Sequence, residues 1–396
     1  MDRRIYLDHA ATTPVAPQVV EAMLPFLREH WGNPSSAHGR GRRARSAVDD
    51  ARDRIAAVLR CTPRELTFTS GGTEADNLAV RGVLERWGAE RGRHLVVSAI
   101  EHDAVLTTAS TLCMRGDAEV TVVRCDDAGR VDPERVAAAV RADTVMVSLM
   151  LANNEIGTIQ DVATAARLAH ERNSRVLVHS DAVQSLGRMP VDPAALGVDL
   201  LSLSAHKCYG PKGCGLLYAR WATYLGAQID GGGQERGRRS GTENVAAIAG
   251  FAVAAELVES ERAEQIVRQS ALRDALETAI LERAPQTRVA ASSAQRLPNL
   301  SALLIDGVPA EVLVAALDVA GLEVSSGSAC SSGAAQPSHV VAAIGEDPRA
   351  TALLRLSLGR ETSADDVADA AERILAAIGA AVRCAPPWAA TAASHS

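Results

Sequence analysis

The sequence predicts an α/β protein: a large domain on a mainly parallel sheet, followed by a smaller C-terminal α/β domain. Three observations carry this reading. From about residue 64, short apolar runs alternate with amphipathic stretches, the pattern of parallel strands whose crossover helices cover both faces. Five of the runs lead straight into polar residues, as strands do where a site gathers at the carboxyl edge of such a sheet. After residue 250 the texture shifts to a long alanine-rich segment, then to a second, shorter set of apolar runs.

In chain order, the strand candidates are 66–70, 94–100, 120–124, 145–150, 176–180, 199–205 and 215–220. The alanine-rich segment, 253–281, reads as one helix, with Leu272, Leu276 and Ile280 four apart on one face. Beyond it come a strand in "SALLIDG" (301–307), a helix near 309–320, "LLRLSLG" (353–359) and a last helix from about Ala364. The tail 385–396 is small, Pro-interrupted and polar, and reads as disordered.

Composition narrows the function classes. With 396 residues, 47% of them apolar, the chain has room for two domains and a sizeable core. A net charge of −7 argues against general polyanion binding. The basic run "RGRRAR" (40–45) leads into Asp49, Asp50 and Asp53, and reads as a solvated helix face, so no direct nucleic-acid contact is expected. The seven cysteines are an odd number without a C-x-x-C pair, which argues against a disulfide framework and against a metal site. The N-terminus is charged and lacks an apolar signal core, and no run approaches a membrane span. A cytoplasmic protein without membrane contact is expected.

The polar ends of the runs carry the chemistry. "TFTSGGTEADN" (67–77) is strand, glycine turn and helix, with Thr73 as a helix cap; Gly71 and Gly72 would let a phosphate approach the helix start. An ordinary βα turn is the alternative. In "VLVHSDAVQS" (176–185), Asp181 follows an apolar strand, either as the cap of the next helix or as the partner of a buried cation, with Gln184 beside it. In "SLSAHKCYGPKGCG" (202–215), Lys207 follows another strand, while Lys212 sits in a Pro-Lys-Gly turn and reads as exposed. A lysine forming an imine with an aldehyde cofactor, above an aspartate for a pyridine nitrogen, is how pyridoxal phosphate is held. His102 ends a further strand and is either a core histidine or a ring that stacks and exchanges protons. "DGGGQERGRRSGTEN" (230–244) reads as a flexible linker or, through Arg236, Arg238, Arg239 and Thr242, as a phosphate clamp. Last, "VSSGSACSSG" (324–333) places Cys330 among small residues, with Gly327 and Gly333 supplying backbone freedom.

Taken together, "YLDHAATTP", "GNPSSAH", "TSGGTEADN", "EHDAVL", "NNEIGTIQ", "DAVQSLG", "SAHKCYGPKG", "GGGQERGRRSGT", "SSGSACSS" and "RLSLGR" resemble, in order, the motifs of cysteine desulfurases of the IscS/NifS type. These are class V enzymes of fold-type I, the pyridoxal phosphate-dependent transferases. The likeness runs from about residue 5 to 360. It implies a large domain over 14–258, a small domain from 1–13 and 259–384, and an active-site cysteine loop at about 325–340.

The resemblance also implies roles. Lys207 would carry pyridoxal 5′-phosphate, Asp181 would meet its ring nitrogen, Gln184 its ring hydroxyl, and His102 would stack on the ring. Thr73, Ser204 and His206, with Gly72 at the same turn, would hold the phosphate, joined by Thr242 from the partner subunit of a homodimer. Asn154, beside the cofactor, and Arg355 would bind the carboxylate of L-cysteine. Lys207 would then take the α-proton, His102 would shuttle protons, and Cys330 would accept the sulfur as a persulfide while alanine leaves. A sulfur-acceptor protein, an iron–sulfur scaffold or a thiolation enzyme, would receive it. "SAHK" and "SACSS" stand where the family commonly has Ser-Gly-His-Lys and Ser-Ala-Cys-Thr, and both keep the functional groups. Rival readings are a selenocysteine lyase or aminotransferase of the same fold, a non-catalytic assembly adaptor, and a cysteine hydrolase pairing Cys330 with His339.

Overall fold

In the computed structural model of the chain, residues 4–327 and 337–384 are described; Cys330 with the rest of 328–336, and the tail 385–396, lie outside the described residues. The seven apolar runs of the first half pair into one sheet, because strands buried along their length can satisfy their backbone only through neighbours. After a two-residue strand β1 (Ile5–Tyr6), they are β2 (Leu66–Thr69), β3 (His94–Ser98), β4 (Glu119–Val123), β5 (Thr144–Ser148), β6 (Leu177–Asp181), β7 (Leu200–Ser204) and β8 (Gly215–Ala219). Their spatial order is β2-β8-β7-β6-β5-β3-β4. Only β8 runs against its neighbours.

Side chains that alternate along each strand feed two cores. Leu95 and Val97 of β3 pack on one face with α3 (Gly72–Arg91) and α4 (Asp103–Met114), after α1 (Pro17–Arg28) and α2 (Gly39–Leu59) in the chain. Val96 turns to the other face, where residues of α1, α2, α5 (Pro133–Ala139), α6 (Val162–Arg172) and α8 (Val245–Leu281) meet it; the short α7 (Pro193–Leu196) leads into β7. Helix α8 begins at Val245, ahead of the expected 253, because the Asn244 Oδ1 accepts the Ala247 N–H at 3.2 Å and caps the first turn.

A separate core takes up the far end of α8, where Leu276 and Ile280 are fully buried. They pack with β9 (Thr287–Val289), β10 (Leu300–Asp306), α9 (Ala310–Val319), β11 (Leu322–Glu323), β12 (Thr351–Ser357) and α11 (Ala364–Cys384), with α10 (His339–Ala343) between. Strands β12-β10-β9 form an antiparallel sheet, and β1 adds in parallel to β11. The N-terminal segment thus crosses from this core to the edge of the large sheet. Among the described residues, no helix is long and apolar enough to cross a membrane.

Candidate active site

At the carboxyl edge of the large sheet lies a cavity of about 220 Å³, lined by Gly72, Thr73, His102, Asn154, Asp181, Gln184, Ser204, His206, Lys207 and Arg355. Thr242 is exposed and does not line it. Cys330 lies outside the described residues.

Asp181 closes β6 and is 5% exposed. Its Oδ1 accepts the Val183 N–H at 2.9 Å, a local turn and not a helix cap, since the next helix starts only at Pro193. Burial raises its carboxyl above the ordinary range, and the charges of His102 and Lys207 pull it back. Gln184 donates from Nε2 to the Ala10 carbonyl at 2.9 Å, which holds the N-terminal segment over the site.

Strand β7 ends in Ser204, whose buried Oγ has no hydrogen-bond partner. The 3₁₀ turn that follows turns Lys207 into the cavity, half-buried, with Nζ donating at 2.7 Å to the carbonyls of both Ala10 and Ala11. His206 stands 3.1 Å from Thr12 Oγ1; burial, then the charges of Lys207 and Lys212, push it down to about 4, so it is neutral. Lys212 is exposed, as its turn suggested.

Thr73 does not cap α3: the capping position is Gly71, without a side-chain cap, and Thr73 is an exposed residue of the first turn. Gly72 is required by packing, since a Cβ there would stand 2.8 Å from Val183 Cγ2. His102 caps α4 by accepting the Ala104 N–H at Nδ1, 3.1 Å away. That acceptor role leaves the proton of a neutral ring on Nε2.

Arg355 reaches the cavity from β12 and is 2% exposed. It donates from Nη1 to the carbonyls of Asn154 (3.0 Å) and Gly327 (2.9 Å) and from Nη2 to Asp8 Oδ1 (2.9 Å), while Nε has no partner. Gly327 is therefore not a source of freedom. It is buried at φ 99°, and a Cβ on it would meet Glu155 Oε2 and Leu353 Cδ2, each at 2.7 Å. The Glu155 Oε2 also accepts from Ser338 Oγ at 2.6 Å, so one carboxylate touches both ends of the segment that contains Cys330.

Arg236, Arg238 and Arg239 do not line this cavity. Arg239 pairs with Glu74 at 2.8 Å, and Arg236 donates to the carbonyls of Pro63, Arg64 and Leu66. No cysteine among the described residues lines the cavity. Burial pushes the thiols of Cys61 and Cys208 up to about 12, and that of Cys214 higher, so none of them is a ready thiolate.

Sequence reasoning gave no role to Asp8, Glu155 or the carbonyls of Ala10 and Ala11. Asp8 and Glu155 stand in motifs quoted above, "YLDHAATTP" and "NNEIGTIQ"; backbone carbonyls leave no mark in a sequence.

The family description aminotransferase class-V matches residues 5–369. The cysteine desulfurase IscS of Dictyoglomus turgidum is 43% identical over 379 residues, 95% of each chain. The solved structure of a NifS-like protein superposes with a TM-score of 0.89 at 36% identity, covering 95% of this chain and 99% of that one. A structure of SspA in complex with cysteine gives a TM-score of 0.75 at 32% identity, covering 89% and 98%.

Proposed function

The chain belongs to the class-V aminotransferase family, among its pyridoxal 5′-phosphate-dependent cysteine desulfurases, and we propose that this cavity takes L-cysteine, releases L-alanine and leaves the sulfur on Cys330 as a persulfide. One observation carries the reading: an amine (Lys207), a carboxyl (Asp181) and a guanidinium (Arg355) from three separate elements line one small cavity.

The residues fit the cofactor. Ser204 Oγ is buried without a partner, α3 starts at the same edge, and its first-turn amides have no intrahelical acceptor. The side-chain-free Gly72 lets the start of α3 pack against Val183 at this edge. Together these suit a phosphate, held by Gly72, Thr73, Ser204 and His206. Lys207 would carry the aldehyde carbon, Asp181 the ring nitrogen, Gln184 the ring hydroxyl, and His102 would lie against the ring. When bound, pyridoxal 5′-phosphate supplies an electron sink that makes the α-proton of an amino acid removable.

The chain's own groups do the rest. Arg355, with its unpartnered Nε, and Asn154 hold the substrate carboxylate. Lys207 Nζ takes the α-proton, and His102 moves a proton at Nε2. The Cys330 thiolate then attacks the substrate sulfur. An S–S bond forms as the C–S bond breaks, and the electron pair of that bond passes to the substrate carbon, which takes up a proton. L-Cysteine and a thiol become L-alanine and a persulfide, so no outside oxidant is needed. The absence of any described cysteine from the cavity supports Cys330 as the acceptor.

The working unit in this reading is a cytoplasmic homodimer in which the exposed Thr242 serves the phosphate of the second copy. The persulfide passes to a sulfur-acceptor protein for iron–sulfur cluster, thio-tRNA or other thio-cofactor synthesis. The test is purified protein with pyridoxal 5′-phosphate and L-cysteine. Alanine should appear, with persulfide mass on the peptide containing Cys330 and none in Cys330→Ala. Failure to form alanine overturns the activity; persulfide on another cysteine overturns the role of Cys330.

A further inference from the structure

Behind Asp181, a file of buried polar side chains crosses the sheet, and the chemistry above makes no use of it. Asp76 (α3), Ser202 (β7), His179 (β6), Ser148 (β5) and Glu101 are each at most 2% exposed. Strand register puts them together: Ser148 lies opposite His179, Ser202 lies opposite Asp181, and His179 shares a face with Asp181 two residues on. Ser148 Oγ is 3.2 Å from Glu101 Oε2 and 2.9 Å from His179 Nδ1. Ser202 Oγ is 2.9 Å from His179 Nε2 and lies against the Asp76 carboxyl. Asp76 Oδ1 has no hydrogen-bond partner and lies 3.5 Å from His179 Nε2.

Counting protons fixes how this file works. Four links join Glu101, Ser148, His179, Ser202 and Asp76. Two hydroxyls and one neutral imidazole supply three protons. Every link is filled only when one end carboxyl carries a fourth, because an unfilled link leaves two buried acceptors facing each other. The ends are unequal. Glu101 Oε1 already accepts from Ser98 Oγ at 2.6 Å and the Met150 N–H at 2.7 Å, which favours its anion; Asp76 has no such donors on Oδ1.

We propose that the extra proton rests on Asp76, and that Asp76, Ser202 and His179 are positioning residues that leave Asp181 the lone anion facing the cofactor's ring nitrogen. This rests on the reading of Asp181 given above. Charge and burial agree with it. His179 is pushed down to about 3 and stays neutral, Glu101 is pushed up to about 7, and Asp76 is held well above the carboxylate range by burial and by the Asp181 charge. With this polarity Asp76 donates to Ser202, Ser202 to His179 Nε2, and His179 carries its proton on Nδ1.

Glu101→Gln should reverse the file. The Ser98 and Met150 donors require the Gln oxygen on their side, so its amide N–H₂ faces Ser148 and donates. The proton of His179 then moves to Nε2, and Asp76 ends the file as a second anion beside Asp181.

The experiment reads the His179 tautomer by ¹⁵N NMR at pH 8 in cofactor-free protein, and the affinity for pyridoxal 5′-phosphate. Wild type should show the Nδ1–H tautomer and Glu101→Gln the Nε2–H tautomer, with affinity lower by about tenfold, the equivalent of one pKa unit at Asp181. Asp76→Asn, which cannot ionise, should bind as wild type does, and Glu101→Gln/Asp76→Asn should recover most of the lost affinity. An Nε2–H tautomer in wild type, a tenfold loss in Asp76→Asn, or no recovery in the double variant overturns the proposal. A chain that binds no pyridoxal 5′-phosphate overturns the cofactor reading instead, and the tautomer still decides the relay.

Discussion

Arg355 Nη1 donates a 2.9 Å hydrogen bond to the carbonyl of Gly327, three residues before Cys330, so the guanidinium proposed for the substrate carboxylate also fixes one end of the cysteine segment. Gly327 can take that position only because it lacks a side chain: φ is 99°, and a Cβ would meet Glu155 Oε2 and Leu353 Cδ2 at 2.7 Å. Gly327→Ala therefore combines a left-handed backbone with overpacking, and should lose about 1–3 kcal/mol of stability in urea denaturation. A change below about 0.5 kcal/mol, the range of an ordinary surface substitution, would show that the site has room to give.

Arg355 serves three acceptors at once: Asp8 Oδ1 and the carbonyls of Asn154 and Gly327. Arg355→Lys keeps the charge but replaces a planar fork with a single ammonium, which cannot span them and a substrate carboxylate together. The KM for L-cysteine should rise by about tenfold or more, the loss of one charge-assisted hydrogen bond, with a smaller change in kcat. Steady-state kinetics showing an unchanged KM would remove Arg355 from carboxylate binding.

The strands were legible because each is a short apolar run, five of them stopping at polar residues, and Asp181 and Lys207 stand out by following such runs. Other features depend on contacts that no local pattern records. The pairing of β1 with β11 joins Ile5 to Leu322, and a two-residue strand has no periodicity to read. Asp8 reaches Arg355 across 347 positions. The file from Glu101 to Asp76 exists only through the register of β5, β6 and β7, which apolar runs do not specify. Thr73 misled for a simpler reason: the glycine pair before it let the helix start two residues earlier.

His9 gives a pH dependence with a definite sign. It is 7% exposed, edge-on to Tyr6 at 4.9 Å, and burial, with the Arg188 charge second, pushes its pKa down to about 4. The unfolded chain binds the proton at about 6.5, so the neutral folded form is favoured above that value. This stability is complete above pH 6.5 and is lost as pH falls towards 4. Between pH 7.5 and 5 it amounts to about 2 kcal/mol. Over the same interval His9→Gln, which does not titrate, should lose about 2 kcal/mol less in denaturant titrations than the native chain does; parallel losses would show that His9 is not the group responsible.

Ser204→Ala separates the cofactor's phosphate from everything else in the cavity, because its effect should change sign with occupancy. Ser204 Oγ is buried and has no hydrogen-bond partner in the protein alone. An unsatisfied buried hydroxyl costs about 1–3 kcal/mol, so its removal should leave the cofactor-free protein as stable as before or raise its Tm. With pyridoxal 5′-phosphate bound, the same hydroxyl would donate to a charged oxygen, a bond worth about 1.5–3 kcal/mol. The variant should therefore bind the cofactor at least about tenfold more weakly, and the Tm gained on adding cofactor should shrink. Calorimetry with and without pyridoxal 5′-phosphate reads both arms. A Tm lowered equally in the two states would make Ser204 a packing residue and place the phosphate elsewhere along the start of α3.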